Sequence, residues 1–136
     1  MALTGYMFPT PTAVRPFLEP AGKGATSQLA CELASRLECY VVGGYPESLP
    51  PDEAEASVTG ETDGLAGLQG IGYNSAVVAG PTGVIGNYRK TFLFETDKVW
   101  CRSGGGFGVF DLEGVGRIAV GICMGESQLK LVMLAR

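Results

Sequence analysis

Residues 73–90 hold two strand-length runs, YNSAVVAG and GVIGNYRK, with only Pro81 and Thr82 between them. Two β-branched or apolar runs so close together can hardly pack except as an antiparallel hairpin, because parallel strands need a crossover of a dozen or more residues. A second pair repeats the pattern: GFGVFDL and VGRIAVGIC are joined through Glu113 and Gly114. Before them, GATSQLACELASRLECY spaces Leu29, Ala30, Leu33, Ala34 and Leu37 at helical intervals, with Thr26 or Ser27 as the expected cap. CYVVGGY, residues 39–45, then has the length and branching of a buried strand. Consecutive hairpins with a helix on one face predict a layered α/β fold.

The remaining segments frame that core. MALTGYMFPTPTAVRPFLEP is broken by prolines and reads as loop. Residues 46–70 combine prolines, glycines and acidic side chains, the composition of an acidic surface insertion. With 136 residues the chain holds one domain at most. Its 46% hydrophobic content argues against wholesale disorder, and its net charge of −4 gives no electrostatic case for nucleic acid or an anionic membrane as partner. No apolar run reaches the roughly 18 residues of a spanning helix, so the expected location is the cytoplasm.

Four cysteines at scattered spacings, Cys31, Cys39, Cys101 and Cys123, and no histidine argue against zinc fingers and histidine-containing triads. Reduced thiols are the expectation. Cys123 draws attention because it ends a run that is apolar on both faces, and the carboxyl end of a strand is where layered α/β folds place reactive groups. Taken alone it is a small buried hydrophobe, just as Lys90 alone is a solvated charge at a strand end. Together they suggest chemistry: an ammonium beside a thiol favours the thiolate, which attacks carbonyl carbon, and can steady a developing oxyanion. SGGGFG, residues 103–108, lacks the Lys-Ser or Lys-Thr of a phosphate loop and reads as a flexible turn. Cys31 and Cys39 are expected in the core, Cys101 in a loop, and Tyr6 among packing aromatics.

Three stretches, LTGY near the start, YNSAVVAGPTGVIGNYRKTFLFETDKVW in the middle and GRIAVGICM near the end, resemble the nitrilase-like carbon-nitrogen hydrolases. The combination of YNS, NYRK, LFETD and W is most similar to the branch that removes the side-chain amide from N-terminal asparagine and glutamine. The resemblance implies an α/β fold that is part of an αββα sandwich, with Lys90 at the family lysine, Cys123 as nucleophile and the backbone of Met124 as an oxyanion donor. An assisting acid downstream of the lysine is also implied. Glu95 is the first candidate and Asp97 the alternative, and spacing does not choose between them.

No metal or organic cofactor is implied. The partners implied are an amide substrate, such as a protein N-terminus, and a second copy in a full-length homodimer. The family's catalytic glutamate stands in a PE just ahead of LTGY, a position outside this sequence, and Glu19 and Glu47 lie outside any matching motif. The expectation is therefore a partial hydrolase domain over residues 1–136, truncated at both ends, with an atypical tail at 125–136 and impaired activity. The alternative is a non-catalytic, degenerate hydrolase domain that acts as a binding module.

Overall fold

The hairpin expected at 73–90 forms the centre of the molecule. In the computed structural model, which describes residues 1, 3–54 and 70–123, β2 (Gly72–Gly80) is buried along its whole length. It lies between β1 (Val41–Ser48) and β3 (Gly83–Arg89), antiparallel to both, in a three-stranded sheet. The register runs from Val41 opposite Ala79 to Ser48 opposite Gly72 on one side, and from Gly80 opposite Gly83 to Ser75 opposite Arg89 on the other. An irregularity between Val78 and Ala79 absorbs one residue of β3.

Because successive strand residues point to opposite faces, β2 feeds two cores. Val77 and Ala79 pack with Tyr45 and with Ala30 and Ala34 of α2 (Ala25–Leu37). Ala76 and Val78 pack on the other face with Tyr88, Leu112 and Val120. Leu112 and Val120 belong to β4 (Gly108–Leu112) and β5 (Gly116–Val120), the second expected hairpin, which forms its own two-stranded sheet. Of the expected αββα layering, the described residues thus build one helix layer and two sheets.

Several local expectations change. The cap of α2 is neither Thr26 nor Ser27. The helix starts behind Gly24, and Thr26 and Ser27 are buried against the sheet. The first turn is satisfied instead by Glu19, whose carboxylate accepts from the Thr26 N–H at 2.8 Å and the Thr26 hydroxyl at 2.7 Å. Gly24 is required there, since a Cβ would stand 2.2 Å from that carboxylate. The helix meets the sheet through Thr26, Ala30 and Ala34, which allow close approach, and leaves Leu29, Leu33 and Leu37 exposed.

Pro46, Glu47 and Ser48, expected to open the surface insertion, continue β1 as far as Gly72 on β2, and Glu47 is fully buried. A helical turn follows at 51–54, and 55–69 and the 125–136 tail lie outside the described residues. The segment expected as loop at the start folds into α1 (Pro11–Val14), capped by Thr10, and a 3₁₀ turn at Arg15–Phe17. Its Phe8 and Val14 join Trp100 and Cys101 in a third apolar cluster, which ties the beginning of the chain to the region after β3.

Candidate active site

Lys90 is the first residue after β3, and its side chain is fully buried, the opposite of the solvated charge that a strand-end lysine suggests. Its ammonium donates to Asp97 Oδ2, and the Asp97 side chain is equally buried. Asp97 sits in α3 (Glu95–Lys98), a single turn whose third residue bends back so that Oδ2 also accepts from the Phe94 N–H at 2.9 Å. The other oxygen, Oδ1, accepts from Asn74 Nδ2 at 3.0 Å and from the Tyr6 hydroxyl at 2.9 Å. Four donors therefore surround one carboxylate.

This arrangement decides the charges. Burial is the largest influence on both groups and favours their neutral forms. It is outweighed: the Lys90 ammonium and the donors from Phe94, Asn74 and Tyr6 hold the Asp97 carboxyl below its ordinary value. Asp97 in turn holds the Lys90 ammonium above its ordinary value, assisted by Tyr6 and by Cys123. The site thus presents a fixed cation in a place that excludes water.

Cys123 lies within electrostatic reach of that cation. It does not end the strand, as expected, but stands three residues beyond β5, exposed and with a φ of 51°. A non-glycine residue in the left-handed region is uncommon and marks a backbone held against its preference. Here it presents a thiol to solvent, within electrostatic reach of the buried ammonium. Met124, the expected oxyanion donor, lies outside the described residues.

Of the two candidate acids after the lysine, Asp97 is the one placed against Lys90. Glu95 points outward, with its side chain 77% exposed, and pairs with Lys98 at 2.5 Å. Both positions follow the lysine at similar spacing, but the first residue of α3 faces solvent while the third faces Lys90. Asn74 and Tyr6 were not legible as site residues. The signals that could have found them are an amide inside an otherwise apolar strand, and the tyrosine of LTGY.

The other candidates lie elsewhere. Cys101 is buried, and its thiol is pushed far up by burial, then by the charge of Asp97. Cys31 is partly buried on α2 and packs against the core cluster, close to its expected place, while Cys39, also expected in the core, is partly buried beyond the end of the helix. The SGGGFG turn runs against the end of β3: Gly104 N–H donates to the Lys90 carbonyl at 2.9 Å, and a Cβ at Gly104 would stand 2.2 Å from the Arg89 carbonyl. Among the described residues, no group of three or more cysteine or acidic side chains is placed to hold a metal ion.

A second buried carboxylate lies on the helix side of the sheet. Glu47 accepts from Ser75 Oγ at 2.6 Å, Asn87 Nδ2 at 2.7 Å, and Arg89 Nε and Nη2 at 2.8 and 2.5 Å. The Arg89 guanidinium also stacks 4.1 Å above the Tyr73 ring.

The family model described as carbon-nitrogen hydrolase matches residues 1–135. The chain is 35% identical over 100 residues to a protein N-terminal amidase of Saccharomyces cerevisiae, covering 73% of this chain and 18% of that protein. It is 34% identical over 128 residues to a protein N-terminal amidase of Schizosaccharomyces pombe, covering 91% of this chain and 40% of that protein. A crystal structure of an N-terminal amidase superimposes with a TM-score of 0.69 at 30% identity, over 93% of this chain and 30% of that one. The chain therefore spans less than half the length of these relatives. On the match of the family model over nearly its whole length, the chain belongs to the carbon-nitrogen hydrolase family.

Proposed function

We propose that this chain carries the nucleophile and the lysine of an amidohydrolase that deamidates N-terminal asparagine or glutamine of proteins. The observation that supports this most directly is the buried Lys90 ammonium, paired with Asp97, within electrostatic reach of an exposed Cys123 in a left-handed turn. The names of the two fungal relatives supply a protein N-terminus as the substrate class, and crystal structures of an N-terminal amidase with an Asn-Glu-Ala and a Gln-Gly peptide supply asparagine and glutamine.

In this reading the Cys123 thiolate attacks the side-chain amide carbon, forming an S–C bond, while the Lys90 ammonium faces the oxyanion. The C–N bond then breaks and the nitrogen takes a proton and leaves as ammonia. Water hydrolyses the thioester, giving the carboxylic acid and restoring the thiol. Asp97 is a positioning residue in this scheme. With four donors on its two oxygens it has no lone pair free to take a proton from the thiol. Glu47 is saturated in the same way, and Glu19 is engaged at the start of α2.

A proton-transfer base contributes about 10² to 10⁴-fold to such reactions, and none of these three acids is placed to act as one. The second part of the proposal is therefore that residues 1–136 alone turn over amides poorly. The test is ammonia release from a peptide that begins with asparagine, comparing this chain with a version extended upstream through the PE glutamate, each with and without Cys123→Ala. Activity confined to the extended form and abolished by Cys123→Ala supports the proposal. Equal activity in both lengths overturns the missing-base argument, and activity that survives Cys123→Ala overturns the nucleophile. No activity in either length favours a non-catalytic binding domain.

A further inference from the structure

The LTGY segment contributes to the site through a residue that its reading as packing does not explain. Gly5 adopts a φ of 72°, a left-handed turn with open space around it, and the next residue, Tyr6, brings its hydroxyl to 2.9 Å from Asp97 Oδ1, across 91 positions of sequence. The Thr96 hydroxyl stands 3.5 Å from the Tyr6 oxygen and donates to it, which leaves the tyrosine proton for the carboxylate. Tyr6 is carried by a segment anchored through Phe8 and Val14 against Trp100 and Cys101, whose N–H groups donate to the Asp97 carbonyl at 3.0 and 2.7 Å, so the tyrosine and the end of α3 are tied into one cluster.

The torsion that turns a carboxylate about its last carbon–carbon bond is broad, so the orientation of the two oxygens is set by their donors. Oδ2 is held by Lys90 and by the Phe94 N–H, and Oδ1 by Asn74 and Tyr6. Without the tyrosine proton, one lone pair of Oδ1 would lose its partner and the carboxylate could rotate, taking Oδ2 away from the ammonium. We propose that Tyr6 is a positioning residue for the buried lysine: its hydroxyl fixes the Asp97 carboxylate whose other oxygen holds the Lys90 ammonium within reach of Cys123. This rests on the amidase reading of Lys90 and Cys123. The groups facing the Lys90–Asp97 pair are Tyr6 from the first segment, Asn74 from β2, the Phe94 backbone, Cys101 after α3 and Cys123 beyond β5, while Glu95 and Lys98 pair with each other in solvent.

Tyr6→Phe keeps the ring and removes only the hydroxyl. The Asp97 carboxyl can be titrated by ¹³C NMR in the whole chain, and in parallel the alkylation of Cys123 by iodoacetamide can be followed at pH 7 by mass spectrometry. Tyr6→Phe is expected to weaken the ionisation of Asp97 by roughly tenfold, raising its midpoint, and to slow Cys123 alkylation. Thr96→Val gives a smaller shift of the same sign and provides a second reading should Tyr6→Phe fold poorly. An Asp97 midpoint that does not move, or one that moves while Cys123 reacts as before, overturns the proposal. Lys90→Met separates the two claims. If it leaves Cys123 alkylation unchanged, the amidase reading falls and the positioning role with it; if it slows alkylation while Tyr6→Phe does not, only the role of Tyr6 is lost.

Discussion

Arg89 and Lys90 are adjacent in sequence, yet each meets its own buried carboxylate, Glu47 on the helix side of the sheet and Asp97 in α3. Both acids are surrounded by four donors, and both are completely shielded from water. The cations differ. Arg89 engages Glu47 through two nitrogens, lies over Tyr73, reaches toward Glu53 at 3.7 Å and keeps 29% of its side chain exposed. Lys90 has no exposure, and its one ion-pair partner among the described residues is Asp97. A planar guanidinium with five donors locks elements together, here the ends of β1, β2 and β3. A buried ammonium is a point charge that acts on whatever approaches it, and Cys123 lies within its electrostatic reach. The difference separates an ion pair that fastens the ends of three strands from one whose cation is left as a buried point charge, which is what the proposed chemistry would use.

The comparison breaks most sharply through the acids. Asp97→Ala strands a lysine with no route to solvent, and is expected to cost about 3–5 kcal/mol in urea unfolding. Lys90→Met also leaves a buried charge, but the Asp97 carboxylate keeps its donors from Phe94, Asn74 and Tyr6, so this variant should cost less than that. If the two variants were equally stable, the lysine would not be an isolated charge in the absence of Asp97.

Glu47→Ala should come second, at about 2 kcal/mol, because Arg89 can turn toward water and toward Glu53. A loss larger than that of Asp97→Ala would reverse the ranking and make the arginine pair the more deeply committed of the two.

The smallest effect is the pH dependence. The folded-state value of Asp97 is depressed, so the stability it contributes is fully present above the ordinary carboxylate range and is lost as pH falls through that range and below. The folded-state value of Lys90 is raised, so its contribution is present below the ordinary lysine value and is lost as pH climbs past it. Unfolding midpoints measured from neutral to acid pH should therefore decline, and Asp97→Asn should flatten that decline. An unchanged slope would place the acid sensitivity elsewhere.

The site was legible in the sequence only in part. Lys90 was visible as a strand-end residue, a local property, and both Lys90 and Cys123 through the motifs around them, although Cys123 proves to stand three residues beyond its strand. The acid that serves the lysine was not visible, since Glu95 and Asp97 are two residues apart in a stretch with no period to orient them. A single helical turn decided between them by bending its third residue back onto Phe94. Tyr6, far away in sequence, could not be connected to Asp97 by any spacing rule.

What the sequence by itself determined is what neighbours along the chain enforce: two hairpins closed by tight turns, a helix at 25–37, and the alternation that gives β2 a face toward each core. The tertiary structure alone decided which side of that helix is buried, that β1 extends through Glu47, and that lysine, aspartate, asparagine and tyrosine from four separate segments converge. The physical reason is that turns and periodicity act over a few bonds. The pairing of a buried charge is a requirement of the whole interior, met by whichever group the folded chain brings within about 3 Å.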